Sequence, residues 1–131
     1  MARNRRNARR LVADGNTYLW SLGHSHQALD GGGFEDCCDI VTLRLLRARG
    51  CVRILFPGGP GRFEPGGTVP SGMVGTVGGG CLNLHEPGTV RALLDEALAA
   101  GWRPESPRTE EMDGWAFFDT VVARRTAVPR D

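Results

Sequence analysis

Lysine is absent from this chain, and all 16 basic residues are arginine. A phosphate loop needs a lysine to reach the phosphates. The glycine-rich stretch 58–80 has no GK[ST] ending and does not open directly onto a helix, so that class of nucleotide site is excluded. No run of about 18 apolar residues occurs, and no segment is expected to span a bilayer. The four cysteines include no CxxC pair, the usual knuckle of structural zinc. Ser21, Ser25, Ser71 and Ser106 stand in no GxSxG context, which removes the elbow-type serine nucleophile. The opening MARNRRNARR is basic, but no apolar signal core follows it. A cytoplasmic location with reduced thiols is therefore expected.

What is present suits one domain. A folded chain of 131 residues buries roughly two-thirds of its unfolded surface, enough for a core without disulfides or a structural metal. Abundant Gly, Ala, Pro and Arg point to a genome rich in G and C. Residues 1–10 carry Arg3, Arg5, Arg6, Arg9 and Arg10 and no acid, whereas the remainder holds 11 arginines against 15 acids. The expected organisation is a basic arm at 1–8, a single domain at 9–126 and a flexible tail at 127–131.

Hydrophobic patterning sets the elements. Leu11, Ala13, Tyr18, Trp20 and Leu22 alternate around Asp14-Gly15, which predicts a hairpin over roughly 9–24. Val41, Leu43 and Leu45, then Val52, Ile54 and Phe56, predict a second hairpin turning at Arg49-Gly50, with a helix over 40–49 as the rival. Residues 58–80, with ten glycines and three prolines, read as a long loop with a short strand near GMVGTV. CLNLH reads as a brief strand. In EPGTVRALLDEALAAGW, Val90, Leu93, Leu94, Ala97 and Leu98 fall on one helical stripe. Pro87 suits its first turn, Gly101 its end, and Trp102 can fold back on Ala97. A single helix of this length is marginal in water, so it needs a sheet to lie on. RPESPRTEEMDG reads as polar linker. A last helix is expected from Asp113 as N-cap, with Met112 and Phe117 as a staple and Trp115, Phe118 and Val122 on one face; a strand is the alternative.

Chemistry-bearing residues crowd into GHSHQALDGGGFEDCCD, residues 23–39. His24 and His26, two apart on a strand, share a face, and such pairs serve zinc sites with Cys, His or carboxylate completing the set. Cys37 is the preferred third ligand; Cys38, Cys51, Cys81, His85, Asp30, Glu35 and Asp36 are the other candidates. The competing reading makes the histidines surface groups and the cysteines small core hydrophobes. Cys81 and His85 form the candidate for thiol chemistry, since Cys81 precedes a helix and a base lies close. In an extended chain they stand about 13 Å apart, so they meet only if the chain turns. The five arm arginines could contact phosphates, although no helix-turn-helix or RNP-type motif supports them.

At PGTVRALLDEALAAGWRP, and again at YLWSLGHSH, the chain resembles a group of small uncharacterised proteins of high-G+C, actinobacterial-type bacteria. They share an early Trp-bearing hairpin and a late helix ending in Gly-Trp, here Gly101-Trp102. The resemblance spans residues 10–104 and implies a fold rather than an activity. The reading is an α+β domain: an antiparallel sheet of four to five strands with one or two helices on one face. The leading expectation is an interaction or accessory protein acting through its sheet surface and glycine-rich loop, with a protein partner or a second copy and no cofactor. The alternatives are a small zinc-binding protein or enzyme using His24, His26 and a cysteine, and a nucleic-acid-associated protein using its arm. Whether the chain is an enzyme stays open at this point.

Overall fold

A computed structural model describes residues 8–28, 34–58, 72–76 and 79–126, those at 25–28 and 34–37 by backbone alone. The expected arm and tail, apart from Ala8, and most of the glycine-rich stretch lie outside the described residues. Seven strands and two helices are described: β1 (Arg9–Ala13), β2 (Asn16–Ala28), β3 (Phe34–Leu45), β4 (Cys51–Pro57), β5 (Met73–Gly75), β6 (Cys81–Asn83), α1 (Pro87–Ala99), β7 (Thr109–Asp113) and α2 (Trp115–Thr126). The main sheet runs β1-β2-β3-β4-β7, and β5 pairs with β6 in a separate two-stranded ribbon. Pairing is antiparallel except where β7 lies parallel to β4. No helix among the described residues is long and apolar enough to cross a membrane.

Local chemistry explains most of these elements. Asp14 and Gly15 both take positive φ, 52° and 84°, the backbone that a two-residue hairpin turn demands. The second hairpin turns earlier than Arg49-Gly50: Ala48 N–H donates to Leu45 O at 2.9 Å, and Arg47 takes the positive φ of 72°. The α1 stripe is as expected, with Val90, Leu93, Leu94 and Ala97 fully buried. It ends where Gly101 N–H donates to Leu98 O and Trp102 N–H to Ala97 O, at 3.1 and 3.0 Å. Trp102 thereby folds under the helix and meets Tyr18, ring centroids 6.2 Å apart.

Two further expectations need correction. Part of the supposed linker is β7, whose alternating exposed and half-buried residues turn only Glu110 and Met112 toward the helices. In α2 the fully buried residues are Phe118 and Val121, with Trp115 and Val122 flanking them. Asp113 does begin that helix, its Oδ1 accepting from Trp115 N–H at 3.0 Å. Burial of Tyr18, Trp20, Val41, Leu43, Val52, Ile54 and Phe56 with the helix residues places the core on one side of the sheet. Burial pushes the Tyr18 phenol above its usual value, an effect that Asn16 opposes by a hydrogen bond and that Glu105, Asp14 and Asp95 reinforce. Arg91 bonds Asp95 and reaches Asp14 in the first hairpin turn, while Arg124 on α2 reaches Asp95 on α1.

Candidate functional site

The long β2–β3 pairing changes character along its length. On the helix-facing side the opposed residues read Tyr18–Leu45, Trp20–Leu43, Leu22–Val41 and then His24–Asp39. Asp39 is also opposite Phe56 on β4, whose ring meets Trp115 edge-on with centroids 5.4 Å apart. A carboxylate thus occupies a position that strand alternation assigns to the core. Its side chain is 1% exposed, and that of His24 is 29% exposed.

His24 Nδ1 lies 2.8 Å from Asp39 Oδ1. A buried carboxylate without a partner costs several kcal/mol, on the order of the loss seen when buried pairs are broken, so this contact is what makes Asp39 tolerable. Asp39 Oδ2 is buried and has no hydrogen-bond partner among the described residues. Donation from Nδ1–H to the carboxylate would fix the tautomer of the ring. Metal-ligating histidines are commonly held this way by a carboxylate, which orients the ring and raises its basicity. The same arrangement orients a general base.

The backbone register brings the other expected ligands alongside. Ser25 is opposite Cys38 and Gln27 is opposite Glu35, so one residue, His26, faces two, Asp36 and Cys37, across a bulge. The predicted trio His24, His26 and Cys37 therefore shares one short stretch of paired strand. The side chains of His26 and Cys37 lie outside the described residues. Among the described residues no group of three or more His, Cys, Asp or Glu is placed to hold a metal.

Neighbouring Cys38 is a different kind of residue. Desolvation raises its thiol above the usual value, with the Asp39 charge adding, while a backbone hydrogen bond from Phe56 and the charge of Arg53 pull the other way. It stays protonated near neutrality and behaves as a packing residue. Cys51 is half-buried and points its thiol at Thr109.

Cys81 is exposed at the start of β6, opposite Gly75. His85 is exposed in the turn before α1, where its backbone N–H donates to Asn83 Oδ1 at 2.9 Å. No hydrogen bond joins Cys81 to His85 among the described residues. The His85 ring instead lies against Gly72, where a Cβ would come within 2.5 Å of it and within 3.2 Å of Leu22. Gly72 also has a φ of +89°, so glycine is doubly required there. Of the arm residues, Arg3, Arg5 and Arg6 lie outside the described residues. Arg9 stands over the Trp20 ring at 5.4 Å, and Arg10 is exposed on β1.

Asp39 is the site residue that sequence reading misses, since Asp30, Glu35 and Asp36 are the acids that the motif suggests. Its signal is nonetheless present: Asp39, Val41, Leu43 and Leu45 form one alternating series. No family model matches this chain, and neither a curated protein nor a solved structure is significantly similar to it.

Proposed function

We propose that the protein is a small transition-metal-binding protein whose site is organised by the His24–Asp39 pair. The observation carrying this reading is the 2.8 Å contact between a part-exposed imidazole and a carboxylate that is 1% exposed. The buried acid sets the ring, and His26 and Cys37 lie in the same short stretch of paired strand, at the bulge. Imidazole and thiolate together favour zinc over calcium or magnesium, which prefer all-oxygen shells. Zinc titrated into untagged, metal-stripped protein should bind at one equivalent. His24→Ala should abolish that binding, and Asp39→Asn should weaken it by about 10–100-fold, the usual effect of removing a ligand's carboxylate support. Cobalt substitution should give a thiolate charge-transfer band that Cys37→Ser removes. Failure to retain zinc, or retention unaffected by His24→Ala, would overturn the reading.

A second reading, strand addition by a partner chain or a second copy, draws on β1. It is an edge of the main sheet, and Val12 on it is 66% exposed. Arg9 and Arg10 on the same strand are charges of the sort that discourage such pairing, so the metal reading takes precedence. Light scattering that gives a monomer mass at all concentrations would remove self-pairing.

A further inference from the structure

The side of the sheet facing away from the helices carries a chemistry unrelated to the histidine site. Arg10, Leu19 and Arg44 form one row across β1, β2 and β3, and Ser21, Thr42 and Arg53 form the next across β2, β3 and β4. A shallow cavity of about 220 Å³ there is lined by Leu19, Ser21, Thr42, Arg44, Arg49 and Cys51, with Ala8 and Trp20 completing it. Two acids lie on this face in β7, and both are engaged. Glu111 is paired with Arg53, and Asp113 accepts from the backbone of Trp115. Arg10, Arg44 and Arg49 have no ion-pair partner among the described residues.

We propose that this face binds the phosphodiester backbone of a single-stranded nucleic acid, seating a phosphate between Arg44 and Arg49. Guanidinium forks beside the Ser21 and Thr42 hydroxyls match phosphate oxygens in geometry as well as charge. The cavity is smaller than the roughly 300–1,000 Å³ of sites that enclose a small molecule, so it suits one charged group of a longer chain. A sheet surface also lets an extended strand lie across it, as in other single-strand binders. Trp20 is the one aromatic residue lining the cavity, and at 3% exposure it leaves little ring to stack a base, so recognition is of backbone and indifferent to sequence.

Fluorescence anisotropy with a labelled oligothymidylate and the full chain tests this directly. Binding should be saturable at about 50 mM salt and weaken steeply by about 200 mM. Arg44→Ser with Arg49→Ser should lower affinity at least tenfold and flatten the salt slope by about 0.7, the share of the one phosphate left unneutralised. Arg103→Ser, an exposed arginine beyond α1, should leave both unchanged. An unchanged urea midpoint would show that the double variant remains folded. The proposal is overturned by an absence of binding, by equal losses in the double variant and Arg103→Ser, or by equally tight binding of polyglutamate. Because Arg44 and Arg49 lie on the opposite side of the sheet from His24, its failure and that of the metal reading are separable.

Discussion

The two ends of the β2–β3 pairing follow the same alternation and serve opposite purposes. At one end Trp20 is opposite Leu43, 3% and 0% exposed, and both belong to a core sealed by α1 and Trp102. At the other, two rows beyond, His24 is opposite Asp39 on the same side of the sheet. A strand's period of two dictates which side a residue faces, not whether that side is dry. The first pair gains from losing water, whereas the second loses hydration that only a short charge-assisted contact can offset. Apolar burial is concentrated at one end, and the buried polar pair lies at the other.

The comparison is broken most forcefully at the apolar end. Leu43→Ala should cost about 2–5 kcal/mol in urea unfolding, because a fully enclosed cavity replaces the side chain. A loss under about 1 kcal/mol would show that this end is not the stabilising one. His24→Ala should cost less, about 2–3 kcal/mol. Fully buried pairs lose about 3–5 kcal/mol when one partner is removed, but one flank of this imidazole is in water. Replacing both partners with leucine should recover most of that loss. A single variant that unfolds like the parent would mean that Asp39 does not depend on His24.

The smallest effect concerns the thiols and pH. Cys81 should label readily in the native protein, while Cys38 should label only on unfolding. Burial raises the Cys38 and Tyr18 values, so the folded chain holds those protons more tightly than the unfolded one. Stability is then unaffected below the ordinary values and falls as pH rises past about 8.5, and again past about 10. Urea midpoints that rise between pH 8 and 10 would contradict the assigned burial.

Several features could be read directly from residue order. Asp14-Gly15 between alternating runs named the first turn, and the Val90–Leu98 stripe with Gly101-Trp102 named α1 and its end. β7 could not be read this way. TEEMD presents one apolar residue among acids, and its pairing to β4 is parallel, between residues 58 positions apart such as Cys51 and Thr109. Local periodicity carries no information about such a partner. The candidate site was half legible. His24, His26 and Cys37 were conspicuous by residue type, whereas Asp39 was hidden by standing at the head of an apolar run.

Residue order alone therefore indicated the α+β class, the first hairpin, and the helix that must lie on a sheet, because turns, caps and amphipathic stripes are short-range properties. Tertiary structure decided which acid meets His24, which arginines share a face without an ion-pair partner among the described residues, and where β7 docks. Those depend on strand register and on the exclusion of water, which exist only once distant segments have packed together.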